Sequence, residues 1–70
     1  MRKNANYTIL KATQIGETEI VLGFCPTAAA QYVTWRCDNG NNYYWGHYCQ
    51  TYETALEDYR ERIAELIPFA

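Results

Sequence analysis

Four side chains in this sequence could do thiol or metal chemistry: Cys25, Cys37, His47 and Cys49. Structural zinc sites usually carry two cysteines separated by two to four residues on a knuckle, and no such pair is present. His47-Tyr48-Cys49 places its first and last residues on one side of a strand, which permits a shared metal without requiring one. The plainer reading makes the three thiols small core hydrophobes. His47 could activate a neighbouring thiol as a nucleophile, yet the sequence supplies neither an oxyanion hole nor a third, orienting group. Glu53, Glu57, Asp58, Glu61 and Glu65 alternate with arginines and read as a solvated helix face rather than a metal site. The expectation is a protein that is not an enzyme, with no catalytic, cofactor-binding or metal-binding residue.

These residues sit on elements organised around Tyr43-Tyr44-Trp45-Gly46-His47-Tyr48-Cys49. Five of the seven side chains in that stretch carry a ring, so it reads as a central strand whose two faces both need cover. Upstream, Asp38-Asn39-Gly40-Asn41-Asn42 is a hairpin turn, because Asn-Gly supplies the positive φ of a tight reversal. Gln31 to Cys37 alternates cleanly and is the partner strand. Tyr7 to Gln14 and Thr18 to Phe24 are two further strands, joined by a turn at Ile15-Gly16-Glu17. Met1 to Asn6 is short and polar and is expected to fray. Cys25-Pro26 ends the second strand, since proline has no donor for the ladder. Thr27 to Ala30 is too short to hold a helix alone.

Thr51 is a candidate N-cap, with Glu53 facing the positive end of the helix dipole. Ala55, Leu56, Tyr59, Ile63 and Leu66 recur at three- and four-residue steps and form one apolar stripe. Asp58–Arg62 is a favourable pair on that helix and Glu57–Glu61 an unfavourable one; Pro68 stops it. The prediction is therefore an α+β domain spanning residues 1–70, a four-stranded antiparallel meander with one C-terminal helix packed on one face.

One helix covers only one face of such a sheet, and a face left in water should be polar. A two-residue turn at Asn39-Gly40 sets Trp35 opposite Tyr44 and Thr34 opposite Trp45. A turn one residue longer puts both tryptophans on one face and Tyr44, Gly46 and Tyr48 on the other. Either register leaves aromatics on the face turned from the helix, and an exposed aromatic patch marks an interaction site. Tyr32, Trp35, Tyr43, Trp45 and His47 are the candidate contact residues. Gly46 in mid-strand signals a crowded ring, a bulge or a close approach of another chain.

Size and charge frame what that face could bind. A chain of 70 residues buries only about 60% of its unfolded surface, and such a core supplies roughly 3–5 kcal/mol. Dense aromatic packing and self-association both remedy a small core. The formal charge of −2 is not the basic footprint of a dedicated nucleic-acid binder. A homodimer or higher assembly is the first expectation, a partner protein the second, and a stacking platform for single-stranded nucleic acid the third. The odd number of cysteines argues against a paired secreted framework. No apolar run reaches the roughly 20 residues of a membrane span, and no hydrophobic signal region follows Met1-Arg2-Lys3-Asn4. The expected setting is cytoplasmic, away from membranes.

Tyr32-Val33-Thr34-Trp35, followed by Tyr43-Tyr44-Trp45-Gly46-His47-Tyr48 and the acidic helix, resembles small uncharacterised proteins of mobile elements and phages of Gram-positive gut bacteria. The resemblance covers roughly residues 20–66. It implies an accessory role in a mobile element, a setting that includes anti-defence proteins such as anti-CRISPR inhibitors, with a host or element-encoded protein as partner. The strand-strand-strand-strand-helix order separately resembles the single-stranded-DNA-binding transcriptional coactivator fold, without that family's basic strand residues.

Overall fold

The computed structural model describes residues 2–67. Five strands precede one helix: β1 (Lys3–Asn4), β2 (Tyr7–Ile15), β3 (Thr18–Phe24), β4 (Tyr32–Asp38), β5 (Asn42–Cys49) and α1 (Tyr52–Leu66). The strands form one antiparallel meander in the order β1-β2-β3-β4-β5, with every consecutive pair hydrogen-bonded. The α+β class and the C-terminal helix agree with expectation; the strand number does not.

The additional strand lies where fraying was expected. Ala5 and Asn6 both adopt positive φ, at 51° and 70°, making the two-residue reversal that sets Asn4 opposite Tyr7 and Lys3 opposite Thr8. Ala5 has no intrinsic preference for that conformation. Tertiary contacts hold it instead: Arg2 Nη1 and Nη2 donate to the Glu19 carboxylate at 2.9 and 2.6 Å, and its Nε donates to the Tyr43 hydroxyl at 2.8 Å. The Arg2 carbonyl also accepts from the Ile9 amide at 2.9 Å. Met1 and Pro68, the latter expected to stop the helix, lie outside the described residues.

Two clusters of side chains pack on opposite faces of the sheet. On the helix side, Ile20 and Leu22 meet Ala55 and Tyr59, with Tyr32, Cys49, Tyr52, Leu56, Ile63 and Leu66 around them. All five residues of the expected apolar stripe are in this cluster. The helix starts at its expected cap, where the Thr51 hydroxyl accepts from the Thr54 amide, an arrangement worth about 1 kcal/mol. Ile67 is extended at the other end, at φ −80° and ψ 118°, as suits a residue preceding proline in the sequence.

The opposite face is largely buried too, with Tyr48 still 59% exposed on it, which corrects the expectation of a broad open aromatic surface there. Tyr7, Val21, Cys25, Val33, Trp35 and Cys37 form its core, with Ile9, Ala28 and Tyr43 alongside. The sheet curls into a half-barrel and covers this face with its own aromatic rings. Tyr7, Tyr43 and Tyr48 meet Trp35 edge-on at centroid distances of 5.6, 5.5 and 6.4 Å. Each such pair adds about 0.5–1.5 kcal/mol beyond area burial. Arg2 closes one end through Glu19 and Tyr43, and the Tyr7 hydroxyl closes the other by donating to the Ala30 carbonyl at 2.7 Å. Among the described residues, no helix is long and apolar enough to cross a membrane.

Candidate interaction site

The register of β5 is decided by two irregularities. Asp38 pairs with Asn42, leaving a three-residue turn at 39–41 in which Asn39 and Gly40 have positive φ. That is the longer of the two expected turns, and alone it would put both tryptophans on one face. A bulge then intervenes: Arg36 pairs with Tyr44, but Thr34 pairs with His47, so Trp35 faces two residues, Trp45 and Gly46. Trp45 takes the extra position with φ +53°. A bulky residue in the left-handed region costs on the order of 1–3 kcal/mol.

The bulge separates the tryptophans. Trp35 turns into the half-barrel and is 5% exposed, whereas Trp45 is 66% exposed. Gly46 lets the two coexist. A Cβ at Gly46 would lie 2.8 Å from Trp35 Nε1 and 3.0 Å from Tyr48 Cε1, so the glycine both relieves a crowded ring and marks a bulge. β5 is an edge strand and not the central strand that its ring content suggests, and a bulge in its middle interrupts the straight ladder that a second chain could extend.

Three side chains pin the bulge from the helix side. The Arg62 guanidinium donates through Nη2 to the Trp45 carbonyl. Asp58 accepts from the Thr34 hydroxyl, and both its carboxylate oxygens lie 3.0 Å from His47 Nδ1. Arg62 Nε lies 3.1 Å from the same ring nitrogen and 3.4 Å from Asp58 Oδ2. One nitrogen cannot donate to Asp58 and accept from Arg62 together. A proton on Nδ1 satisfies the carboxylate, and Arg62 Nε then faces Asp58. Partial burial pushes the Asp58 carboxyl up, but the Thr34 hydroxyl, His47 and Arg62 outweigh it and hold the carboxyl below its usual range. Burial lowers the Arg62 guanidinium, and Asp58 opposes that effect.

The outer side of Trp45 borders an open cavity of about 430 Å³ lined by Arg36, Trp45, Gly46, His47, Arg62 and Glu65. The Arg36 guanidinium carbon stands 4.9 Å from the indole centroid, and Tyr44 meets the same indole at 5.4 Å. The Asp58–His47 pair orients an imidazole, but among the described residues no nucleophile is aimed at it: Thr34 is fully buried, and the Cys49 sulfur approaches the His47 carbonyl rather than its ring. Cys25 and Cys37 belong to the half-barrel core and Cys49 to the helix side; all three are free. Among the described residues, no three metal-ligating side chains converge.

The five residues expected to share a contact face are divided. Trp35 and Tyr43 pack inside the half-barrel. Tyr32 is half-buried between Phe24 and Tyr52, at 5.0 and 5.7 Å. Trp45 and His47 are exposed and line the same cavity. Arg36, Asp58 and Arg62 were not among the candidates. Arg62, expected with the other helix arginines on the solvated face, is 5% exposed. Its spacing offered a signal, because steps of four and three from Ala55 and Tyr59 place position 62 on the apolar stripe.

Comparison with known proteins returns no matching family model, no matching characterised protein and no matching solved structure.

Proposed function

We propose that this protein is a non-enzymatic macromolecular interaction module that self-associates and engages a protein partner through the surface around Trp45. The carrying observation is Trp45 itself. A large apolar ring stands in water on a backbone of unfavourable φ, while Arg62 and the Asp58–His47 pair hold that backbone in place. Residues kept in sparsely populated conformations by surrounding structure cluster at binding and switch sites, and tryptophan is among the commonest anchors of protein interfaces. The bulge disfavours strand-to-strand addition at the β5 edge, so association proceeds through side chains.

The resemblance to small proteins of mobile elements supports a setting: a cytoplasmic accessory protein, in the manner of anti-defence inhibitors, acting on a host or element-encoded protein. Single-stranded nucleic acid is the second reading, favoured by the Arg36 guanidinium lying over the Trp45 ring, a pairing able to stack a base. The buried far face removes the broad aromatic platform that this reading would otherwise use.

Sedimentation velocity over a concentration series tests the proposal, with Trp45→Ser and Tyr48→Ser as variants. Tyr48 is the natural control because its exposed ring, at 59%, points to the other side of the sheet. Assembly lost only in Trp45→Ser supports the reading. A wild-type protein that stays monomeric throughout rejects self-association, and equal loss in both variants rejects Trp45 as the anchor.

A further inference from the structure

We infer that the cavity beside Trp45 receives a carboxylate from a partner polypeptide, with the adjoining apolar group laid on the indole. This rests on the reading of Trp45 as a contact surface and specifies the chemistry of what it contacts.

The cavity is bordered by two guanidinium groups, Arg62 enclosed by the fold and Arg36 open to a ligand. Arg62 is nine-tenths buried, and its Nη1 has no hydrogen-bond partner among the described residues. Leaving a charged donor buried and unpaired is costly, typically more than the 1–3 kcal/mol of a neutral group. Arg36 lines the same space, packs on the indole, and has no carboxylate within ion-pair distance among the described residues. The two guanidinium groups also repel, Arg36 acting to lower the Arg62 pKa. An anion beside Arg36 would offset that repulsion and give Arg36 the partner that the fold leaves it without.

The surrounding charges select the kind of anion. Asp58 is already committed to Thr34, His47 and Arg62, while Glu65 lines the cavity without an ion pair. In formal charge, Arg36 and Arg62 balance Asp58 and Glu65. Doubling an anion's charge then scales its attraction and its repulsion alike. The cost of taking it out of water rises with the square of the charge, so a single negative charge is favoured over a phosphate dianion. A polyanion is disfavoured further. Arg2 is consumed by Glu19, and the chain as a whole carries −2, so no track of cations leads away from the cavity. The exposed indole asks for an apolar group beside the charge, which an acidic residue flanked by an apolar one provides.

The test is an NMR titration of the intact chain that follows the Trp45 indole N–H and the Gly46 amide. The probes are N-acetylphenylalanine, its uncharged amide, phenyl phosphate and a short oligothymidylate. N-acetylphenylalanine is expected to give saturable shifts at both signals, with the amide binding about tenfold more weakly for loss of the charge-assisted contact. Arg36→Gln is expected to weaken binding by a similar factor, and Glu65→Gln, an exposed change that cannot disturb the core, to strengthen it. Equal affinity for acid and amide overturns the inference, as does the absence of any saturable shift. Tighter binding of phenyl phosphate or the oligonucleotide overturns it in favour of phosphate chemistry. If the probes fail while Trp45→Ser still abolishes assembly, the carboxylate assignment falls and the contact surface stands.

Discussion

The Arg62 guanidinium donates to the backbone carbonyl of Trp45, joining the helix to the one left-handed residue of β5. An arginine 5% exposed fixes a tryptophan that is mostly in water. Helix docking and display of the indole are thereby one event: without the helix, nothing on that side holds the Trp45 carbonyl.

Arg62→Leu is expected to cost about 2–3 kcal/mol, because it frees the Trp45 carbonyl and removes one of the partners of Asp58. Urea denaturation reads the loss. Arg62→Lys, which keeps the charge but not the fork, should recover only part of it.

Gly46→Ala should destabilise by about 1–3 kcal/mol through overpacking, since its Cβ would press on the Trp35 indole at 2.8 Å. Gly40→Ala is the comparison. There the space is open and only a positive φ is disturbed, at a cost of about 1 kcal/mol. Near-UV circular dichroism should change for Gly46→Ala and not for Gly40→Ala, because only the former touches Trp35.

Acid should unfold the protein through two carboxyls. The Arg2 guanidinium holds Glu19 below its usual range despite burial, and Asp58 is likewise depressed. Both bind protons more weakly folded than unfolded. Their stabilisation is therefore complete above the ordinary carboxyl pKa of about 4 and is lost as pH falls through the depressed folded values. Arg2→Ala removes the Glu19 share, so its stability should be lower near neutral pH and fall less steeply in acid. A parallel pH profile for the variant would contradict the assignment.

Much of this architecture is legible in the residues. The Thr51 cap, the stripe from Ala55 to Leu66, the Asn39-Gly40 reversal and all four long strands follow from local chemistry. β1 does not, because Ala5-Asn6 carries a turn that only the Arg2–Glu19–Tyr43 contacts make worthwhile. The extent to which the second face is covered is not legible, because alternation says which side a residue points to and nothing about how far a sheet curls. At the site, mid-strand Gly46 announced an irregularity. Sequence pattern could not say that Trp45 would occupy the bulge, since a bulge shifts every later residue by one and its position is set by packing against Trp35.

The most direct test of the central claim combines chemical denaturation and sedimentation on one variant, Trp45→Asn. Asparagine tolerates the left-handed region better than tryptophan, so folding should be unharmed or strengthened, whereas loss of an interface anchor should weaken self-association by about tenfold or more. An unfolding midpoint at or above that of the native chain, with assembly lost, is the predicted result. A folded variant that assembles like the native chain, or a loss of more than about 2 kcal/mol in stability, would contradict the claim that Trp45 is held out for binding.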